Sequence, residues 1–363
     1  MNKEKTYKIA IVGDALGGGG AEKVHANLSV FFVANGIEVH NIIFLDDVSY
    51  DFSGRLLNLG KMKNHSVYDK LKRIYILRKY LRNHNVDYII DFRYRVNQIN
   101  EFLIARLAYN SPTIYTVRSG IIEFSMPNSK IIRQLIYSRA AAIVTVSQQL
   151  TKMLQPQFVL PVVTIYNPLD LRKITQDAEL FIPEEKKYIV AVGRLKGVKQ
   201  FDVLIEAYHQ STLPGKDIKL LIIGEGPELY NLNQLVKQKK LDAMVIFKGR
   251  QSNPFPYFKN AVFSVLSSKN EGFPNVLIEC LATGTPVVSF DCFTGPNEII
   301  INRHNGMLVE NQNTTKLSEA IDEMILNPQL YQFCKHNARS TVEKFSKEHI
   351  GREWLDLMQI QTN

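Results

Sequence analysis

The chain has 363 residues, 45% of them hydrophobic, which is enough material for two domains that each bury a core. Its three cysteines are odd in number and lack metal-ligand spacing, which argues against a disulfide framework or a zinc site and favours a reducing cytoplasm. The formal net charge is +9, and residues 1–170 carry 21 Lys and Arg against 13 Asp and Glu, which favours an anionic partner near this half: phosphate, acidic lipid or nucleic acid.

Short β-branched runs alternate with longer segments of helical period, a pattern typical of parallel sheets covered by helices on both faces. The predicted strands of the first half are residues 8–12, 39–45, 88–92, 113–117, 142–146 and 162–166. Those of the second half are residues 188–192, 219–223, 244–247, 262–266, 286–290 and 307–309. No apolar run reaches the length of a membrane span, and residues 9–13 are too few for a signal peptide, so we expect a soluble or peripheral protein.

A polar stretch over residues 170–187 separates the two series of strands, and we interpret it as an interdomain linker. The predicted domains are therefore residues 1–169 and residues 170–345. The helices predicted after the last strand are residues 314–326, 329–344 and 346–358. We expect the C-terminal segment, residues 346–363, to pack back on the first domain.

A helix is predicted to begin near Pro274, after the strand at residues 262–266 and a loop that contains Glu271 and Gly272. Proline is favoured in a first helical turn, and Gly284 predicts the end of the helix. The N–H groups and positive dipole end of such a helix attract anions, and the small Gly272 would leave them accessible. The segment therefore predicts a diphosphate site at the carboxyl edge of a parallel sheet.

Two carboxylates flank this predicted site, Glu271 in the loop and Glu279 inside the helix. Carboxylates accept hydrogen bonds from vicinal hydroxyls, so one can hold a sugar ring and the other a ribose. An arbitrary pair of glutamates is more often a solvated loop charge and a helix-surface residue. Beside a phosphate site, however, the pair indicates a nucleotide sugar.

Two cations are predicted at the same edge, because Arg194 and Lys199 follow the first strand of the second domain. Guanidinium and ammonium groups suit phosphate oxygens, although such residues taken alone are more often surface charges. The sequence contains no Asp-x-Asp pair to hold a divalent metal. We therefore expect no metal, with fixed cations and helix N–H groups neutralising a leaving diphosphate.

Four glycines, Gly17 to Gly20, lie between the first predicted strand and a helical segment, where they would let backbone approach a phosphate. A plain turn without a ligand fits them about equally well. Their spacing from Gly13 argues against a dinucleotide site.

Residues 66–83 predict an amphipathic helix that carries six Lys and Arg. A basic amphipathic helix can rest on an anionic membrane surface. The alternative is an ordinary helix of the domain with one solvated face.

Together these motifs resemble the family-four retaining glycosyltransferases of GT-B fold. The resemblance rests on residues 271–279, Gly193-Arg194 with Lys199, Gly19-Gly20-Ala21-Glu22, Gly224-Glu225-Gly226-Pro227-Glu228 and Phe247-Lys248-Gly249-Arg250. It implies an α/β protein of two Rossmann-like domains facing each other across a cleft, an N-terminal acceptor domain and a C-terminal nucleotide-sugar-binding domain. The segment Gly295-Pro296-Asn297-Glu298-Ile299 is similar to bacterial enzymes that build O-antigen, capsule or lipid-linked oligosaccharides.

The resemblance implies a role for each residue that matches a family motif. Arg194 and Lys199 would bind the diphosphate and Glu271 the donor sugar, and these three are the predicted catalytic residues. Glu279 would hold the ribose. The other predicted donor-binding residues are Gly19, Gly20, Gly224, Arg250, Gln251, Gly272, Phe273, Pro274, Asn275 and Val276.

Many family members place a histidine near the reacting sugar, and Arg118 stands where that histidine is expected. Arginine stays protonated and cannot act as a general base, so Arg118 is instead a candidate for binding an acceptor phosphate. Asp91, Arg93 and Arg95 are further acceptor-side candidates, although surface charge at a strand end is the more common interpretation.

We therefore predict a retaining, metal-independent glycosyltransferase that moves a hexose or N-acetylhexosamine from a nucleotide-diphosphate sugar, most simply a UDP-sugar, to a lipid-linked or polysaccharide acceptor. We expect it in the cytoplasm, peripheral on the inner face of the membrane, without a cofactor or a nucleic-acid partner. Two alternatives stay open: a GT-B nucleotide-sugar epimerase, and a non-enzymatic basic nucleic-acid-binding or scaffold protein. The latter leaves Glu271 and Glu279 unexplained, because carboxylates repel phosphate backbones.

Overall fold

The computed structural model describes residues 6–62 and 67–361 and divides into two compact units. The first unit contains the chain up to Pro168 together with the segment from Lys347 onward. The second runs from Leu169 to Ser346. The predicted domain boundaries, after residues 169 and 345, lie within one residue of this division.

The first unit is built on a seven-stranded sheet of order β3-β2-β1-β4-β5-β6-β7, in which neighbouring strands pair in parallel. Its strands are β1 (Lys8–Gly13), β2 (Glu38–Ile43), β3 (Arg55–Asn58), β4 (Tyr88–Asp91), β5 (Thr113–Val117), β6 (Ala140–Thr145) and β7 (Val162–Thr164). Its helices before Pro168 are α1 (Gly20–Ala34), α2 (Val67–His84), α3 (Gln98–Leu103), α4 (Lys130–Tyr137) and α5 (Gln148–Leu154).

Alternate side chains of β1 enter two different cores. Ile9 and Ile11 join a cluster on one face of the sheet, while Ala10 and Val12 join a cluster on the other. Successive side chains of a strand point to opposite faces, so a strand that is apolar at every position must be covered on both. The buried run of β1 is therefore explained by helices on each side of the sheet.

The second unit repeats this plan with a six-stranded parallel sheet of order β10-β9-β8-β11-β12-β13. Its strands are β8 (Tyr188–Val192), β9 (Lys219–Ile223), β10 (Val245–Phe247), β11 (Ser264–Leu266), β12 (Val287–Phe290) and β13 (Gly306–Val309). Its helices are α6 (Leu171–Asp177), α7 (Phe201–Gln210), α8 (Leu229–Gln238), α9 (Phe255–Asn260), α10 (Asn275–Ala282), α11 (Pro296–Ile299), α12 (Thr314–Leu326) and α13 (Pro328–Ala338).

The stretch that we interpret from sequence as a linker belongs to the second unit and contains a helix. The Asp170 side chain accepts a hydrogen bond from the backbone N–H of Lys173 at 3.0 Å and so caps α6. Ile174 is the buried residue of that helix. The interpretation as a linker is therefore wrong, because one cap and one buried side chain order a segment whose composition is mostly polar.

The C-terminal helix, α14 (Lys347–Leu357), returns to the first unit and packs against α1. Its Trp354 side chain is fully buried and joins the same core as Ile9 and Phe92. Truncating a buried aromatic residue of this kind costs about 3–5 kcal/mol, so α14 is an integral part of the unit. In the part of the chain that the structure describes, none of the helices has both the length and the apolar surface to span a bilayer.

Candidate active site

The loops after β8 and β11 lie side by side at the carboxyl edge of the second sheet. β8 sits between β9 and β11, which is where the strand order of this sheet reverses. Ligands of open parallel sheets bind outside the carboxyl ends of the strands at such a point. The loop after β8 contains Arg194 and Lys199, and the loop after β11 contains Glu271.

Lys199 and Glu271, predicted from sequence as partners in one site, form an ion pair. The Lys199 Nζ lies 2.6 Å from the Glu271 Oε1, and the two side chains are 24% and 11% exposed. Backbone contacts hold the loops together, since the Ser267 hydroxyl donates to the Lys199 carbonyl at 3.0 Å and the Lys269 N–H to the Val198 carbonyl at 2.9 Å. A cation and an anion are thus fixed next to each other and still reach solvent.

Thr294 and Gly295 fix the backbone of the Glu271 loop, and no sequence motif predicts this role for Thr294. Its hydroxyl lies 2.6 Å from the Glu271 carbonyl oxygen and 2.8 Å from that of Gly272. Gly295 has a φ of +95°, and a Cβ there would stand 2.6 Å from the Pro274 Cδ. Only glycine allows this close approach, so the segment after β12 holds the loop that carries Glu271.

Helix α10 begins next to this pair. Its first residue is Asn275 and Pro274 is its N-cap, so the helix begins one residue after Pro274, and no side-chain hydrogen bond caps it. The N–H groups of a first turn carry partial positive charge and favour an anion. The start of α10 therefore supplies such donors shortly after Glu271 in the chain.

The second predicted carboxylate lies within α10. Glu279 is buried, with 9% of its surface exposed, so it is not an ordinary residue of a solvated helix face. Arg194, in contrast, is exposed in the loop after β8. Burial distinguishes Glu279 from a solvated helix charge, and exposure leaves Arg194 in contact with solvent.

The predicted donor-binding residues Gly224, Arg250 and Gln251 lie in the loops after β9 and β10. Gly224 has a φ of +150°, and a Cβ there would meet the Gly193 carbonyl oxygen at 1.9 Å, so the loop after β9 touches the loop after β8. The Gln251 side chain donates to the Lys248 carbonyl at 2.7 Å. Arg250 is exposed. These loops therefore adjoin the Lys199 loop on the side away from β11.

The chain matches two family models that follow one another along its length. Residues 18–173 match the model described as Glycosyltransferase Family 4, and residues 172–341 match the model described as Glycosyl transferases group 1. The N-acetylgalactosamine-N,N'-diacetylbacillosaminyl-diphospho-undecaprenol 4-alpha-N-acetylgalactosaminyltransferase of Campylobacter jejuni is 31% identical over 364 residues, covering 96% of this chain and 98% of that protein. The chain belongs to the family-4 glycosyltransferases.

Solved structures show that this glycosyltransferase has the two-domain α/β GT-B fold. HepE of Anabaena, crystallised with UDP, has a TM-score of 0.79 at 18% identity and covers 97% of this chain and 99% of its own. Sucrose-phosphate synthase from Thermosynechococcus elongatus also has a TM-score of 0.79, at 20% identity, and covers 97% of this chain and 98% of its own. At these identities the likeness establishes the fold alone.

Three predicted residues of the first unit follow the carboxyl ends of its strands. Gly19 is the N-cap of α1, and Gly20 is the first residue of that helix. Arg118 follows β5, and its Nη1 donates to the Asn167 Oδ1 at 2.8 Å. The glycine loop and Arg118 therefore lie at the carboxyl edge of the first sheet.

The other acceptor-side candidates of the glycosyltransferase are buried in a network of their own. The Arg93 Nη2 lies 2.8 Å from both Asp91 Oδ2 and Glu101 Oε2, and Arg95 donates to the Ser125 carbonyl at 2.7 Å. Burial alone would raise the pKa of Asp91, but Arg93 and Arg95 outweigh it and hold that pKa below its usual value.

This network corrects the interpretation of Asp91, Arg93 and Arg95 as surface charges at a strand end. They are not surface charges, because 0%, 5% and 0% of their surfaces are exposed. Nor do they offer free groups to an acceptor, since their charges meet one another and backbone carbonyls. An acceptor could contact them only if this network opened, at the cost of leaving buried charges unpaired.

The structure also bears on where a metal ion could bind. Over residues 6–62 and 67–361, no group of three or more His, Cys, Asp or Glu side chains is placed to hold one. A metal bridged between the protein and a bound diphosphate would need fewer protein ligands than this. Metal independence therefore stays a prediction.

Proposed function

We propose that this glycosyltransferase is a retaining, metal-independent enzyme that moves a hexose or N-acetylhexosamine from a UDP-sugar to a hydroxyl of a lipid-linked or polysaccharide acceptor. The observation that carries the proposal is the Lys199–Glu271 pair at the switch point of the second sheet. A glycosyl transfer from a nucleotide sugar has to neutralise a leaving diphosphate while the sugar ring is held.

The surroundings of the pair support such a role for the second unit. The Lys199 ammonium, the Arg194 guanidinium and the first-turn amides of α10 are the groups we assign to the diphosphate. We assign Glu271 to hydroxyls of the donor sugar and the buried Glu279 to the ribose. When a donor binds, the Lys199 ammonium donates one hydrogen bond to Glu271 and another to a phosphate oxygen. One lysine then contacts both the residue that holds the sugar and the leaving group.

Named relatives support the choice of donor and acceptor. HepE was crystallised with UDP, and the name of the Campylobacter jejuni enzyme specifies a diphospho-undecaprenol acceptor and a 4-alpha product. We extend both classes to this chain as part of the proposal. The fixed cations and amides at the edge of the second sheet would take over the charge neutralisation that a divalent metal supplies elsewhere.

UDP alone is expected to raise the melting temperature of the protein. A ligand of the folded state at about 100 times its Kd adds roughly 2.7 kcal/mol, which differential scanning fluorimetry detects easily. EDTA is expected to leave turnover of the UDP-sugar unchanged. A shift with another nucleoside diphosphate but none with UDP would contradict the choice of donor, and strict dependence on Mn²⁺ would contradict metal independence.

We also propose that the enzyme rests on the inner face of the membrane through α2. The predicted segment begins one residue before the described helix, at Ser66, which lies outside the described residues. Ile74, Leu77 and Leu81 are buried in the core, so part of the apolar pattern is structural. A second stripe is exposed: Tyr68, Leu71 and Tyr75 are 85%, 52% and 63% exposed, at a spacing that places them on one face of the helix.

This exposed stripe lies among cations, which gives α2 the composition of a surface helix on an anionic bilayer. The exposed cations around it are Lys72, Arg78, Lys79 and Arg82. At 100° per residue, the stripe and these cations all lie within a sector that covers about one third of the helix circumference. Aromatic rings can enter the headgroup region while the cations meet lipid phosphates.

Vesicles that contain phosphatidylglycerol are expected to pull the enzyme down, and vesicles of phosphatidylcholine alone are not. Replacing Lys72 and Lys79 together by Glu should reduce the bound fraction at least tenfold, since each cation near an anionic surface contributes about 1 kcal/mol. The matched control reverses two exposed lysines of the second unit, Lys216 and Lys237. Equal loss in both variants would mean that net charge, and not α2, determines binding.

A further inference from the structure

Three polar side chains of the first unit surround the ring of Phe92. The guanidinium carbon of Arg118 lies 4.9 Å from the centroid of that ring and 5.9 Å from that of Trp354. The His25 ring stacks on Phe92 with centroids 6.0 Å apart, and Trp354 lies 6.1 Å away. A guanidinium, an indole and an imidazole thus converge on one aromatic residue.

Each of these three side chains has at least one buried nitrogen without a hydrogen-bond partner among the residues described by the structure. These atoms are the Nε and Nη2 of Arg118, the Nε1 of Trp354 and the Nδ1 of His25. Buried polar groups are paired in the great majority of cases, because an unpaired donor costs about 1–3 kcal/mol. Three of these atoms, the Nε and Nη2 of Arg118 and the Nε1 of Trp354, are donors that a bound hydrogen-bond acceptor would explain. The His25 Nδ1 is an acceptor in the neutral ring, because the Nε2 donates to the Asn41 Oδ1.

Arg118 is the decisive member of this cluster. Its Nη1 is oriented by Asn167, which leaves the Nε and Nη2 edge of the guanidinium as an unused fork of two donors. Burial lowers its pKa to about 9, and no neighbouring carboxylate raises that pKa again. The other buried arginines of this unit, Arg93 and Arg95, have acidic partners. Arg118 is thus a desolvated cation, and among residues 6–62 and 67–361 no carboxylate is paired with it.

The cluster lies where the first sheet is built to bind a ligand. β1 and β4 are neighbours in the order β3-β2-β1-β4-β5, so the strand order reverses between them. Gly13 ends β1 and lies so close to His25 that a Cβ there would stand 2.6 Å from the His25 Nδ1. Phe92 follows β4 and Arg118 follows β5. Ligands of such sheets occupy the crevice at this switch point.

We infer that Arg118, with the indole N–H of Trp354, forms a binding site for a phosphoryl oxyanion at the carboxyl edge of the first sheet. The planar fork of a guanidinium matches two oxygens of a phosphate, and a third oxygen can accept from the indole. A phosphate would supply the negative charge that the protein does not provide here. A neutral ligand would leave the Arg118 charge uncompensated.

Two sources of this oxyanion are compatible with the geometry: free phosphate, and the diphosphate of a lipid-linked acceptor. The second rests on the proposed function, whereas the oxyanion site itself does not. An isoprenoid diphosphate such as farnesyl diphosphate separates them, because it carries the diphosphate together with a lipid chain. Tighter binding of farnesyl diphosphate than of inorganic pyrophosphate, with none of farnesol, assigns the site to the acceptor.

The chain offers its own reporter for the test, because Trp354 is its only tryptophan. With excitation near 295 nm, titration with inorganic pyrophosphate should change the emission of the full-length protein saturably. Arg118→Gln should abolish that change, and Arg139→Gln, at an exposed arginine of the same unit, should preserve it. We expect Arg118→Gln to fold and to melt about 2–4 °C or more above the parent, since it removes a buried unpaired cation.

The Lys199→Ala variant distinguishes this site from the donor site. If its Trp354 emission still responds to pyrophosphate while its stabilisation by UDP is lost, two separate anion sites exist. No emission change and no thermal shift in the parent protein at millimolar pyrophosphate would overturn the oxyanion site. An unchanged response in Arg118→Gln would also overturn the oxyanion site. Water would then be the remaining partner of the four nitrogens. Neither result would affect the UDP experiment, so the two proposals fail independently.

Discussion

Replacing Lys199 by Ala is expected to lower turnover about a hundredfold or more, as the loss of a charge-stabilising contact does. In the protein the Lys199 Nζ lies 2.6 Å from Glu271, so the substitution also leaves that carboxylate, only 11% exposed, without its cation. A diphosphate would then approach an uncompensated negative charge. Steady-state kinetics should therefore show a fall in kcat together with a rise in the KM for the donor.

Replacing Glu271 by Gln tests the other half of the pair. The amide keeps the shape of the carboxylate, so we expect a fall in kcat of about a hundredfold, while affinity for UDP changes little.

Lys196→Ala is the matched control for Lys199→Ala, because Lys196 lies exposed in the same loop as Lys199. If Lys199→Ala and Lys196→Ala turn over at similar rates, the ion pair is structural and the assignment of the donor site is wrong.

The strands that sequence patterns predict best are those buried on both faces. Thr113–Val117, Tyr188–Val192 and Lys219–Ile223 have the predicted bounds, because a central parallel strand is buried at nearly every position and is mostly apolar. Arg55–Asn58 was missed, and the reason lies at the edge of the sheet. This strand pairs on one side only, with β2, and has no fully buried residue, so its sequence carries no apolar run.

The Lys199–Glu271 pair could be predicted because topology brings it together. The two residues are 72 positions apart, but each follows a strand of the second sheet, and β8 and β11 are neighbours. Thr294 could not be predicted in this way, since its role depends on a hydroxyl meeting two backbone carbonyls. The spacing of Asp91, Arg93 and Arg95 indicates charge at the end of a strand. It does not indicate that these side chains point inward and pair with one another.

Gly295→Ala is expected to disturb the donor site through the start of α10. Gly295 has a φ of +95° and a ψ of −54°, outside the left-handed helical region, and this conformation costs a non-glycine residue about 1–3 kcal/mol. The new Cβ would also stand 2.6 Å from the Pro274 Cδ and 3.1 Å from the Gly272 carbonyl oxygen. Overpacking of this kind costs about 1–3 kcal/mol more. Pro274 and Gly272 would have to move, and with them the start of α10.

Gly284→Ala is the control for Gly295→Ala, because it introduces backbone strain without displacing Pro274 and Gly272. Gly284 lies just beyond the other end of α10 with a similar φ of +82°, but a Cβ there meets no atom within 4 Å. Both variants should therefore lose unfolding free energy through backbone strain, by about 1–3 kcal/mol. Only Gly295→Ala should lose the further part and bind UDP at least tenfold more weakly, as calorimetry would show. Equal UDP affinity in the two variants would mean that the loop before α10 adapts to the methyl group, and that the diphosphate does not depend on the backbone position that Gly295 and Thr294 fix.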